Sequence, residues 1–144
     1  MKRQLFFFAT LFIGLLSSAQ TTMTFSADIV NRNGDVLFIK KGKTIVQEIK
    51  ADDKGKFKST FEISEGLYEL YDGVEYAQLY LKNGFDLSLT MDAQHFDESL
   101  KFTGKGEKEN NFLANETRED SKFNYEELLS KDEADFKVEL EKMK

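Results

Sequence analysis

The sequence predicts a mostly β protein, an antiparallel β-sandwich or barrel-like domain followed by two or three C-terminal helices. Three observations carry this. Apolar and polar residues alternate over residues 22–103, turn-forming Gly, Asn and Asp recur between the alternating runs, and helical spacing takes over after Gly106.

Phe25, Ala27 and Ile29 alternate with Thr24, Ser26 and Asp28, so one face of the first strand is apolar. Asn33-Gly34 then turns the chain. Val36 to Ile39 is a short apolar run, read as a strand covered on both faces. Lys41-Gly42 precedes a strand marked by Ile45, Val46 and Ile49, and Asp52-Asp53-Lys54-Gly55 precedes one that places Phe57, Ser59, Phe61 and Ile63 on a common face. Glu65-Gly66 and Asp72-Gly73 introduce the runs 67–71 and 74–81. Asn83-Gly84 reads as a second hairpin signal before Phe85, Leu87, Leu89 and Met91, the cleanest alternation in the chain. A short strand at residues 100–102 completes a meander-like order. Gly104-Lys105-Gly106 reads as a hinge between sheet and helices. Beyond it Phe112, Leu113 and Thr117 fit one helical face. Asn124 with Glu127 and Ser130 with Glu133 have capping-box spacing, and Phe136, Leu140 and Met143 recur at helical intervals.

The N-terminus has a different character. Lys2 and Arg3 precede an apolar run over residues 5–16, and Ser17 and Ala19 supply small residues at the −3 and −1 positions of a cleavage site. This is the layout of a secretory signal peptide, and the run is too short to span a bilayer, which takes about 20 apolar residues. The domain reading is therefore signal peptide 1–19, antiparallel β domain 20–104 and helical segment 105–144. Cleavage after Ala19 places the protein outside the cytoplasm, in the periplasm or cell envelope, with no stable membrane insertion. It moves the net charge from −6 to −8, because Lys2 and Arg3 leave with the leader. An acidic surface disfavours nucleic acid as a partner.

The chain has no cysteine and a single histidine. Thiol nucleophiles, disulfides and cysteine metal sites are excluded, since each needs a thiolate. His95 lies in the polar run 92–98 with no nucleophile motif beside it and reads as a solvated loop residue. Asp52-Asp53-Lys54-Gly55-Lys56 is interrupted by lysines and lacks the terminal bidentate Glu of a calcium loop, so it reads as a plain turn. Asp92, Asp97 and Glu98 are poor candidates for a hydrolytic carboxylate pair. Gly104-Lys105-Gly106 lacks the spacing of a phosphate loop, and Asn115-Glu116-Thr117 fits a glycosylation triplet. No catalytic residue, metal or cofactor is expected. Tyr68, Tyr71, Tyr76 and Tyr80 form a tyrosine-rich belt. Alternation places Tyr76, Gln78 and Tyr80 on a polar-tipped face opposite Ala77, Leu79 and Leu81. Tyrosines there suit a strand face or a binding surface, so these three residues are the candidate interaction surface.

Three segments carry a family resemblance. They are Tyr68-Glu-Leu-Tyr-Asp-Gly-Val-Glu-Tyr, Leu79-Tyr-Leu-Lys-Asn-Gly-Phe-Asp-Leu, and Phe102-Thr-Gly-Lys-Gly-Glu-Lys-Glu-Asn-Asn-Phe-Leu-Ala. Together they resemble the N-terminal accessory domain of TlpA-like thiol-disulfide oxidoreductases, exported bacterial proteins of the thioredoxin superfamily. The resemblance covers most of residues 22–144. It implies a β-rich module ahead of a thioredoxin-fold domain, serving to position, dimerise or present substrates. The family's redox work needs a Cys-x-x-Cys pair, which this chain lacks, so no catalytic residue carries over and no catalysis is expected from this chain alone. The implied partners are a thioredoxin-fold domain or redox protein, or a second copy. The alternative is a stand-alone exported module that binds a glycan or protein through the tyrosine face.

Overall fold

The alternating segments fold as two stacked four-stranded sheets, in a computed structural model that describes residues 21–121 and 130–142. In chain order the strands are β1 (Met23–Val30), β2 (Val36–Lys41), β3 (Thr44–Lys50), β4 (Lys56–Phe61), β5 (Gly66–Tyr71), β6 (Tyr76–Leu81), β7 (Asp86–Asp92) and β8 (Lys101–Lys105). A short helix α1 (Phe96–Ser99) lies between β7 and β8. Helices α2 (Glu107–Ser121) and α3 (Glu133–Lys142) follow. Sheet A has the order β4-β1-β7-β8 and sheet B the order β3-β2-β5-β6.

The period-2 patterns set the two inner faces. Met23, Phe25, Ala27 and Ile29 of β1 and Leu87, Leu89 and Met91 of β7 meet Leu37, Ile39, Leu70, Leu79 and Leu81 of sheet B, all within one buried cluster. Each of the Met, Phe, Ile and Leu side chains among them contributes about 1.5–3 kcal/mol when taken fully out of water. With no disulfide to help, this core and the two ladders hold the sandwich. The outer face of sheet A is polar. Thr24 and Thr60 hydrogen-bond across β1 and β4 at 2.9 Å, and Asp28 pairs with Lys56.

The strand order is not a meander. β1 runs parallel to β7 at the centre of sheet A, a pairing that requires a long crossover, and here all of β2 to β6 lies between them. Asn33-Gly34 and Asn83-Gly84 are not hairpin loops: each carries the chain from one sheet to the other. The positive-φ residue near the first of them is Asn31, at 52°. True hairpins join β2 to β3 and β5 to β6. Asp72 organises the second. Its Oδ1 accepts from the Val74 and Glu75 amides at 2.9 and 2.8 Å, and its Oδ2 accepts from Asn33 Nδ2 at 2.8 Å, so the buried carboxylate ties this hairpin to the β1–β2 corner.

Gly104-Lys105-Gly106 joins β8 to α2 through two positions that only glycine fits. Gly104 lies within β8 at φ 90°, and a Cβ there would sit 2.3 Å from the Asp86 carbonyl oxygen. At Gly106, φ 109°, a Cβ would strike the Phe85 ring at 2.4 Å. Both positions exclude a side chain, by backbone conformation and by contact. Beyond them α2 packs on β6 and β8, the neighbouring edges of the two sheets. Its buried face is Asn110 and Ala114, with Leu113 and Thr117 half-buried, while Phe112 is 62% exposed. The face expected from Phe112 is therefore corrected. Two asparagines take the inward positions because the strand edges they meet are polar. Helix α3 is capped by Asp132, whose Oδ1 accepts from the Ala134 and Asp135 amides at 3.0 Å. The Asn124–Glu127 box and Met143 lie outside the described residues, and the side chains of Phe136 and Leu140 are not described.

Candidate interaction surface

The candidate residues Tyr76, Gln78 and Tyr80 all project from the outer face of β6, while Ala77, Leu79 and Leu81 are buried. Register extends this face across sheet B. Phe38, Tyr71 and Tyr76 form one cross-strand row, Lys40, Glu69 and Gln78 the next, and Leu67 with Tyr80 a third.

The first row is an aromatic ladder. Tyr71 and Tyr76 stack with centroids 4.3 Å apart and planes 18° apart, and Phe38 lies 6.3 Å from Tyr71. Lys40 reaches over both tyrosines, its Nζ 5.3 Å and 4.9 Å from their centroids, and donates to the Tyr76 hydroxyl at 3.3 Å. An ammonium above an aromatic face is held electrostatically by about 0.5–1 kcal/mol at an exposed site. Tyr71 is further fixed by donating its hydroxyl to the Gly73 carbonyl at 2.6 Å. Tyr76 remains 49% exposed, so the ladder presents an ordered aromatic residue to solvent. The expectation that β2 is covered on both faces holds only in part, because Val36 and Phe38 are half-buried.

Tyr80 is placed differently. It is half-buried, its ring meets Phe85 edge-on at 6.2 Å, and its hydroxyl donates to Glu65. The bond to Glu65 comes first among the causes that raise the phenol pKa above its ordinary value, followed by desolvation and the charges of Glu65 and Glu109. Beside it, Leu67, Tyr80, Lys108, Glu109, Phe112 and Leu113 line a groove of about 510 Å³ between sheet B and α2. Leu67 also borders a smaller hollow of about 140 Å³ with Lys40, Glu69 and Gln78, so the ladder and the groove adjoin. Leu67 and Phe112 are 59% and 62% exposed, and single-residue reading missed both. The signal for Leu67 was available, since Tyr68 faces the core and Leu67 must therefore face out.

Tyr68 belongs to the interior. It is buried and donates its hydroxyl to the Ser64 carbonyl at 2.7 Å. His95 is exposed at the end of a short 3-10 turn capped by Asp92, whose Oδ1 accepts from Gln94 N at 3.0 Å. Asp92 also accepts from Asn31 Nδ2 at 2.9 Å. These bonds, Asn31 first, hold its pKa below the usual carboxylate value, while its own backbone amide bonds Ser99 Oγ. Asp52 accepts from the Lys54 and Lys56 amides at 2.9 Å, the work of a turn residue. The Lys56 amide leads the causes that lower its pKa. Among the described residues no group of three or more His, Cys, Asp or Glu is placed to hold a metal ion, and no described helix is long and apolar enough to cross a membrane.

No family model and no curated protein matches the chain. Among solved structures it is similar to a Bacteroides ovatus protein described as a "putative cell adhesion protein", at 12% identity and a TM-score of 0.33. The match covers 58% of this chain and 42% of the other, so the chain spans less than half the length of that protein.

Proposed function

We propose that this chain is a non-catalytic, exported β-sandwich module that holds a protein partner on the outer face of sheet B. Its setting is a thiol-disulfide oxidoreductase system of the TlpA-like kind. The observation that supports a binding role is the surface running from Tyr76 and Lys40 through Gln78 to Leu67 and Phe112. Aromatic and aliphatic side chains stand exposed there, next to a fixed cation and a groove. Aromatic anchors bordered by polar groups are the composition of interface centres. The absence of cysteine assigns any electron transfer to the partner, whose Cys-x-x-Cys pair the module would position. Export follows from the leader-like residues 1–19, and the secreted protein is expected to begin at Gln20.

The test is a calorimetric titration of the purified chain with a Cys-x-x-Cys thioredoxin-fold protein encoded beside it. Saturable binding that weakens at least tenfold in Tyr76→Ala supports the reading, and no binding to any such protein overturns the redox setting. The second reading, a stand-alone glycan- or protein-binding module, is favoured by the ordered Tyr71–Tyr76 stack. It is tested by the same variant against a panel of glycans and envelope proteins.

A further inference from the structure

The four edges of the two sheets are not treated alike. β4 carries Lys56 and Lys58, and β3 carries an irregularity of register opposite Ile39 and Lys40, two devices that discourage pairing with another strand. The edge of β8 is sealed by α2. Asn111 exchanges two hydrogen bonds with the Phe102 backbone, at 2.8 and 2.7 Å, and Glu107 accepts from Gly104 N at 3.0 Å. On β6, Asn110 accepts from Tyr80 N at 3.0 Å and donates to Tyr80 O at 2.9 Å. Its side-chain amide stands where the peptide of a neighbouring strand would stand.

That pair of bonds fixes the phase of β6. In an antiparallel ladder each strand residue directs both its N–H and its C=O to the same side, and the side alternates along the strand. Tyr80 points away from β5, so Gln78 and Tyr76 point away from it too. No bond to these four backbone groups is present among the described residues. The strand Tyr-Ala-Gln-Leu-Tyr-Leu carries no charge, proline or bulge, and Val74 and Tyr76 beside the opening are 61% and 49% exposed.

We infer that the β6 edge pairs antiparallel with the β6 edge of a second copy of this chain, joining two B sheets across a two-fold axis at Ala77. The length of the opening selects this occupant. It is bounded by the turn at residues 72–75 on one side and by Asn110 at Tyr80 on the other, so an extended peptide from elsewhere meets α2. A second copy presents an opening of the same length. With Ala77 on the axis, Tyr76 of each copy faces Gln78 of the other, and four N–H···O=C bonds form. Isologous pairing of this kind is the commonest route to a homodimer. It uses the strand edge, whereas the proposed partner surface is the sheet face, and the two are separable by experiment.

Sedimentation equilibrium of the purified chain is expected to show reversible, concentration-dependent dimers. Gln78→Pro removes an outward N–H and no bond to β5, a position where an edge strand accepts proline. It is expected to lower the association constant by about tenfold or more, since one bond per copy is lost. Tyr76→Ala keeps the backbone groups and leaves most of the dimerisation in place. A chain that stays monomeric at millimolar concentration, or a Gln78→Pro variant that dimerises as the wild type does, overturns the inference. Should the proline variant not fold, hydrogen exchange on the wild type decides: the Tyr76 and Gln78 amides must gain protection as concentration rises, and unchanged exchange refutes the pairing.

Discussion

Replacing Asn110 with alanine tests how the helical segment is joined to the sandwich. Asn110 is fully buried, and its side chain makes three hydrogen bonds: to Tyr80 N at 3.0 Å, to Tyr80 O at 2.9 Å and to Gly106 O at 2.9 Å. A typical bond contributes about 0.5–1.5 kcal/mol net, and the substitution also leaves Tyr80 backbone groups unpaired beneath α2, so the expected loss is about 2–4 kcal/mol. For a domain of this size that lowers the melting temperature by roughly 10 °C. Circular dichroism melts and urea unfolding read both quantities. Asn110→Asp retains the acceptor but loses both donor bonds and buries a charge, so it is expected to be no milder. A loss below about 0.5 kcal/mol, the scale of an ordinary surface change, would refute the claim that this residue fastens α2 to sheet B.

Other outcomes follow from the same structure. Gly106→Ala forces a side chain into the Phe85 ring at positive φ and is expected to cost more than about 1 kcal/mol by urea unfolding, whereas a flexible hinge would tolerate it. Glu65→Gln removes the carboxylate that raises the Tyr80 phenol pKa, so phenolate absorbance should show Tyr80 titrating at lower pH than in the wild type. Because the folded state raises that pKa above 10.0, the associated stability is complete below pH 10.0 and is lost as pH rises through the folded value. Asp92 has the opposite sign. Its folded pKa lies below 3.8, so its contribution is present above that pH and is lost as acid protonates it in the folded state. Asn31→Ala removes the leading cause and should weaken this dependence, measured as melting temperature against pH.

Strand content was legible because burial on one face of a sheet imposes period-2 alternation, and Phe85, Leu87, Leu89 and Met91 display it without interruption. Topology was not, because turn chemistry reports that the chain reverses and not which sheet it enters next. Asn33-Gly34 and Asn83-Gly84 look like hairpin loops for that reason. The parallel β1–β7 pair depends on contacts about 62 residues apart, as between Thr24 and Asp86, for which no local residue provides a marker. The face of α2 was misread because hydrophobic periodicity presumes an apolar inward face, and Asn110 and Asn111 serve polar strand edges instead. The outward placement of Tyr76, Gln78 and Tyr80 followed from alternation alone. The aromatic row completed by Phe38 and Tyr71, and the approach of Phe112 to Leu67, required the pairing of strands and helix.

The most direct test of the binding account is chemical-shift mapping of the chain during titration with the Cys-x-x-Cys thioredoxin-fold protein proposed above as its partner. The account predicts that Lys40, Leu67, Tyr76, Gln78 and Phe112 shift together and saturate at one stoichiometry. Perturbations confined to Thr24, Ser26 and Asp28, on the polar outer face of the other sheet, would contradict it.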